Sequence, residues 1–155
     1  MDNIKQLRQL IRILSRPLKP IPPGQSICFS ASLSIRPRAV IFDIYGTILI
    51  SAAGDIGHDA AQDSESAFWQ AAEFAGLTRR LSVKPGIRVT ELLRHFIERD
   101  HEQKKRVGIQ YPEVDILDIW QKILLDMGLP EVSKEAVCTL ALGYELCVNP
   151  VWPMP

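Results

Sequence analysis

The sequence contains one short segment with the pattern of a buried β-strand, Ala39-Val40-Ile41-Phe42, and Asp43 follows it directly. Short apolar runs rich in β-branched residues are typical of strands that are covered on both faces. The backbone N–H and C=O groups of such a strand need neighbouring strands as hydrogen-bonding partners. The remaining apolar patterns of the chain are helical, so the sequence predicts a sheet whose other strands lie outside this chain.

The chain after a Gly-, Ala- and Asp-rich loop at 51–63 has the apolar periodicity of four successive helices. Capping residues, prolines and glycines mark where these helices begin and end. The predicted helices run from Asp63 or Ser64 to Gly76, from Pro85-Gly86 to Arg106, from Pro112-Glu113 to Gly128, and from Ser133 to Pro150.

The first residues form a separate, basic region. Ile4, Leu7, Ile11 and Leu14 recur at helical spacing and predict an amphipathic helix over 3–15, which a proline-rich connector then ends. Seven basic residues and a single acid precede Ala39. Such a helix is typical of an organelle targeting segment or of a membrane-surface helix. The preferred interpretation is a helix that docks on its own domain.

Composition limits the class of partner. With 46% apolar and 23% charged residues and a formal net charge of zero, the chain has the composition of a globular protein. A neutral balance argues against nucleic acid as the main partner, and no apolar run is long enough to predict a membrane span. Three cysteines without a CxxC pair predict structural thiols in a reducing, cytoplasmic compartment.

Asp43 is the candidate reactive group. In open α/β sheets, ligands bind at the carboxyl ends of the strands, which is where Asp43 is predicted to lie. Gly46 lets the chain turn back and bring backbone N–H donors near the carboxylate. A carboxylate held by such donors can act as a nucleophile and form a covalent ester or acyl phosphate. The alternative is that Asp43 only opens a turn through its side-chain acceptor.

The segment Ile41-Phe42-Asp43-Ile44-Tyr45-Gly46-Thr47-Ile48-Leu49 resembles the first motif of the haloacid dehalogenase superfamily of hydrolases. That motif is an apolar strand followed by Asp-x-Asp-x-Thr or Asp-x-Asp-x-Val. The resemblance implies that Asp43 is the catalytic nucleophile, that Gly46 belongs to the substrate loop, and that Thr47 occupies the Thr/Val position. Residues 111–116 also resemble a segment of the helical cap that some members insert after their first strand.

The resemblance implies a truncated α/β fold, with one strand of a Rossmann-like core and a mostly helical cap. Four regions are expected: a basic helix and Pro-rich connector at 1–37, the first core strand and catalytic loop at 38–62, the cap at 63–148, and the return to a missing core at 149–155.

Tyr45 replaces the second Asp of the motif. In the phosphatases of the family that Asp acts as the acid and base, and a Tyr with an ordinary pKa of about 10 is a poor substitute at neutral pH. Halide leaves without a proton, so the form Asp-x-Tyr-Gly-Thr is similar to that of 2-haloacid dehalogenases. The resemblance thus implies a small anionic organic substrate and no cofactor. A phosphatase that recruits Mg²⁺ through Asp43 and the Tyr45 carbonyl is the alternative.

The other motifs of the superfamily are a Ser or Thr, a Lys and an acidic pair, and no counterpart of them stands after the predicted cap. Lys84, Lys104, Lys122 and Lys134 are interpreted as residues of solvated helix faces. Asp115 and Asp118 are interpreted as an acidic first helical turn and, with Asp126, not as a metal cluster. The chain is therefore expected to be inactive by itself. A non-catalytic helical remnant or interaction module is the competing interpretation.

Overall fold

The computed structural model describes residues 2–14, 38–44, 48–51, 64–81, 88–149 and 151–153, and these are mainly helical. The elements in chain order are α1 (Asp2–Leu14), β1 (Leu49–Ser51), α2 (Ser64–Phe74), α3 (Val89–Arg106), α4 (Ile116–Asp126), α5 (Lys134–Val148) and β2 (Val151–Pro153).

Helices α2 to α5 pack around one apolar core. Helix α2 contacts α3 and α5, and α4 also contacts α3 and α5, so each helix of the four has two neighbours. Each helix turns its apolar stripe inward, as the 3.6-residue periodicity predicts. The buried core consists of Ala67, Phe68, Ala71, Ala72, Leu77, Val89, Leu93, Ile119, Trp120, Ile123, Leu124, Met127, Leu129, Val137, Leu140 and Tyr144.

An aromatic group joins three of these helices. The Trp120 ring of α4 stacks on Phe68 of α2, with ring centroids 6.0 Å apart and planes at 13°. The Trp120 ring also packs edge to face against the ring of Tyr144 in α5, with the ring centroids 5.0 Å apart. Such aromatic pairs contribute stabilisation beyond the apolar area that they bury. Trp120 is therefore the side chain on which α2, α4 and α5 converge.

Glycines end three of the helices in the same way. After α2, Gly76 has φ of 70°, and the Leu77 N–H donates to the Ala72 carbonyl at 2.8 Å. This is the Schellman arrangement, in which a left-handed residue lets the chain cover the last free carbonyls of the helix. Gly108 and Gly128 end α3 and α4 in the same way: the Ile109 N–H donates to the Lys104 carbonyl and the Leu129 N–H to the Leu124 carbonyl. The predicted helix ends at Gly76 and Gly128 are confirmed.

The helix starts use two kinds of cap. Asp115 caps α4 by accepting hydrogen bonds from its first turn, and Ser133 caps α5 by accepting from the Ala136 N–H at 3.2 Å. Helix α3 has no side-chain cap of its own at Arg88. Instead, Glu65 of α2 reaches across and accepts from the Val89 N–H at 3.0 Å. A carboxylate at this position satisfies a free donor and complements the helix dipole.

Helix α1 docks on α5 through a narrow apolar stripe. Leu10 and Leu14 are buried, and α1 contacts α5. At Gly143 of α5, an added Cβ would lie 3.1 Å from the Cβ of Ala71 in α2 and 3.8 Å from Cδ2 of Leu10. Glycine therefore permits the close approach of three helices. The interpretation that the N-terminal helix docks on its own chain is confirmed.

The α/β fold class expected from the sequence is wrong. Val40, Ile41 and Phe42 form no strand; they are exposed to solvent, Ile41 to 96%. The only strands among the described residues are β1 and β2, three residues each, which pair antiparallel with Leu49 opposite Pro153. An apolar run shows that a segment can be buried, but burial also needs a surface that receives it. Here the helices satisfy their apolar faces by packing on one another.

Candidate functional site

Asp43 lies in an exposed, non-helical segment between Phe42 and Ile44. The Ile48 N–H donates to the Ile44 carbonyl at 2.9 Å. The neighbouring site residues predicted from the motif, Tyr45, Gly46 and Thr47, lie outside the described residues. Their roles stay predictions.

The Asp43 carboxylate has no hydrogen bond or ion pair with any other described residue. A carboxylate nucleophile needs donors or cations that hold it in the attacking geometry and offset the charge of an anionic substrate. Asp43 is accessible to solvent, as a nucleophile must be, but the described part of the chain does not position it. The described residues therefore supply a candidate nucleophile without its supporting groups.

Two candidate lysines belong to an ion-pair network between α3 and α4. Lys104 Nζ lies 2.7 Å from Oδ2 of Asp100, and Lys122 Nζ lies 3.9 Å from Oδ1 of the same carboxylate. Lys122 also pairs with Asp118 at 2.6 Å, and Lys104 donates to the Glu113 carbonyl. The Asp100 side chain is only 13% exposed. Both lysines are thus held by structural carboxylates.

The hydrogen bond from Lys104 lowers the pKa of Asp100, with a further contribution from the positive charge of Lys122. The charged form of Asp100 is therefore favoured in the folded protein. Of the remaining candidates, Lys134 is exposed on α5 and Lys84 lies outside the described residues.

The acidic residues near α4 have structural tasks. Oδ1 of Asp115 accepts from the Leu117 N–H at 3.0 Å and from the Asp118 N–H at 3.3 Å, which confirms its interpretation as part of the first helical turn. Within the ranges that the structure describes, no three His, Cys, Asp or Glu side chains come together where they could share a metal ion. Of the ligands that the phosphatase alternative predicts for Mg²⁺, only Asp43 lies among the described residues.

Two polar contacts were not predicted from the sequence. Burial raises the pKa of the Tyr144 hydroxyl, and a hydrogen bond with Ser64 partly opposes that rise. The second contact is the Glu65 cap on α3. Its two residues stand 24 positions apart in the chain, so no local motif marks the pair. Both contacts fasten the start of α2 to its neighbours.

The strands flanking the helical unit lie side by side. β1 precedes α2 and β2 follows α5, and their pairing places Ile50 opposite Trp152. The strand that precedes the unit of α2 to α5 therefore lies beside the strand that follows it, an arrangement that an inserted domain also has. This pairing connects the segment that follows Asp43 with the segment that follows α5.

None of the described helices is long and apolar enough to cross a membrane. No family model, curated protein or solved structure matches the chain.

Proposed function

We propose that this chain carries the nucleophile and the helical cap of a haloacid dehalogenase-like hydrolase, with Asp43 as the attacking residue and helices α2 to α5 as the cap. The observation that carries the proposal is the antiparallel pairing of β1 with β2. This pairing places the segment that follows the Asp43 motif beside the segment that follows α5.

The proposed chemistry uses the exposed carboxylate of Asp43. One oxygen attacks C2 of a small 2-haloalkanoate, a C–O bond forms, and the halide leaves with the electron pair of the C–X bond. Water then attacks the carbonyl of the resulting Asp43 ester. The products are a 2-hydroxyalkanoate, a proton and the regenerated carboxylate, which now contains one oxygen from water. Tyr45 is not required as an acid, because halide needs no proton.

The described residues around Asp43 fit a surface that another part of the protein covers. They do not form a complete active site. Val40, Ile41 and Phe42 are exposed beside Asp43, and an exposed apolar run of this kind is typical of a surface that another surface covers. Because no described donor holds the Asp43 carboxylate, we expect no appreciable turnover by the 155-residue chain itself. Cys138 is not in a disulfide bond, which supports a reducing compartment, and we include a cytoplasmic location in the proposal.

The test uses the full product of the reading frame that contains these residues, incubated with 2-chloropropionate in H₂¹⁸O. We expect chloride release and, after a single turnover, one ¹⁸O atom in the peptide that contains Asp43. Asp43→Asn should abolish chloride release, whereas Glu131→Gln, which makes the same carboxylate-to-amide change in an exposed loop, should retain it.

The phosphatase alternative gives a different result in the same experiment. Attack of water on the phosphorus of an acyl phosphate leaves the label in phosphate and none in Asp43. Phosphate-ester hydrolysis that requires Mg²⁺ and leaves Asp43 unlabelled would favour it. A product that is inert toward both haloacids and phosphate esters would contradict both enzyme functions.

A second candidate function is an interaction module without catalysis. The observation in its favour is the closed core of α2 to α5, in which Phe68, Ile119 and Ile123 are fully buried. A helical domain that buries its own apolar residues can be stable by itself. Cooperative unfolding of the chain, together with inertness of the full product, would favour this function over the hydrolase.

A further inference from the structure

We propose that α1 binds the surface of an anionic lipid bilayer, through two exposed isoleucines and a row of basic side chains. This function is independent of the hydrolase proposed above. It uses the part of α1 that remains free after the helix has docked on α5.

One stripe of α1 is already occupied. Leu10 and Leu14 are buried against the helical unit, and Leu7 is half-buried on the same stripe. Ile4 and Ile11 are not covered: they are 61% and 42% exposed. The helix therefore presents apolar surface to solvent beyond what its own domain buries.

Two of the exposed isoleucines of α1, Ile4 and Ile11, border a basic row. Lys5, Arg8 and Arg12 are all exposed, and their spacing of three and four residues places them on one face. Ile4 and Ile11 are each three or four residues from both Leu7 and Arg8. The isoleucines therefore lie between the buried stripe and the basic row, at the border where an interfacial helix enters a bilayer.

The charges of this face are free to act outward. None of the ion pairs among the described residues includes Lys5, Arg8 or Arg12. Seven basic residues and one acid precede Ala39, whereas eleven basic and seventeen acidic residues follow it. A chain with no net charge thus concentrates its positive charge at α1 and the segment after it, and this favours an anionic surface.

Ile4 and Ile11 favour a lipid bilayer over nucleic acid as the anionic surface that α1 binds. Nucleic acid offers phosphates to the basic row but no apolar phase for Ile4 and Ile11. At a bilayer surface both are satisfied, because the isoleucines enter the acyl boundary while the long basic side chains extend to the headgroups. Each basic residue near an anionic bilayer strengthens partitioning roughly fivefold, so the three together give on the order of a hundredfold.

The test is sedimentation of the chain with phosphatidylcholine vesicles that either contain or lack phosphatidylglycerol, at an ionic strength of about 0.15 M. We expect binding only to the anionic vesicles. The variant Lys5→Gln/Arg8→Gln/Arg12→Gln should bind at least tenfold more weakly. Its matched control makes the same change of net charge at exposed positions of α3, Arg94→Gln/Arg99→Gln/Lys105→Gln, and should bind within twofold of the unmodified chain.

A second pair of variants tests the apolar contribution. Ile4→Gln/Ile11→Gln should weaken vesicle binding several-fold, whereas Val107→Gln/Ile109→Gln, which alters exposed apolar residues after α3, should not. Unchanged helicity by circular dichroism shows that the variants keep their fold. The proposal is overturned if the chain does not sediment with the anionic vesicles, or if both charge variants weaken binding equally. It is also overturned if the Ile4 and Ile11 variant binds the vesicles unchanged and single-stranded RNA displaces the chain from them.

Discussion

Replacing Glu65 by alanine tests whether one carboxylate of α2 caps α3. Its Oε2 accepts from the Val89 N–H at 3.0 Å, at a partly buried contact and at a helix start without another side-chain cap. Without Glu65, that N–H loses its acceptor and the first turn of α3 loses a favourable charge.

The magnitude follows from these two losses. A lost helix cap costs about 1 kcal/mol, and a hydrogen bond to a charged acceptor contributes about 1.5–3 kcal/mol. Because the contact is only partly buried, we expect Glu65→Ala to lower the free energy of unfolding by about 2 kcal/mol, with a fall in Tm of roughly 4–8 °C for a chain of this size. Glu65→Gln retains an acceptor and should lose about half as much.

Urea unfolding followed by far-ultraviolet circular dichroism measures this loss, with the midpoint shifting at constant m-value. Glu73→Ala is the matched control, because Glu73 is an exposed residue of the same helix with the same change in helix propensity. It stands in the last turn, where an acid opposes the dipole, so its removal should be neutral or slightly stabilising. If the two alanine variants differ by less than about 0.5 kcal/mol, the typical effect of a surface substitution, the cap does not stabilise α3.

Two further predictions concern the core and the ion pairs. Trp120→Ala should lower the free energy of unfolding by about 3–5 kcal/mol, because it removes the ring that lies between Phe68 and Tyr144. Tyr111→Ala is the control: Tyr111 is 83% exposed, so its replacement should change the free energy of unfolding by less than about 0.5 kcal/mol. Thermal unfolding of both variants measures the difference. Asp100→Asn should lower Tm at neutral pH. The difference from the unmodified chain should begin to shrink as the pH falls through about 4, the ordinary pKa of the carboxyl group, and should disappear only below its lowered folded-state pKa, where the carboxyl group is protonated in both states. A Tm difference that persists unchanged at low pH would contradict the role of the Asp100 charge.

Local signals in the sequence determined where several of the helices of this protein begin or end. Gly76 and Gly128 stop α2 and α4, and Ser133 starts α5, as their positions in the sequence predict. Each of these signals acts within a few residues, through a left-handed turn or through a side chain that bonds its own helix. The apolar spacing of α1 predicted the helix itself, but the buried stripe is formed by Leu10 and Leu14, whereas Ile4 and Ile11 stay exposed.

Tertiary structure decided which apolar and polar groups find partners. The run that ends at Phe42 has the composition of a buried strand, yet it remains exposed because no described surface receives it. Glu65 and Val89 form a cap, and Gly143 admits Ala71 at close range, only because packing brings distant helices together. Burial and hydrogen bonding at these sites depend on the other partner as much as on the residue itself, and the partner is set by the arrangement of whole helices.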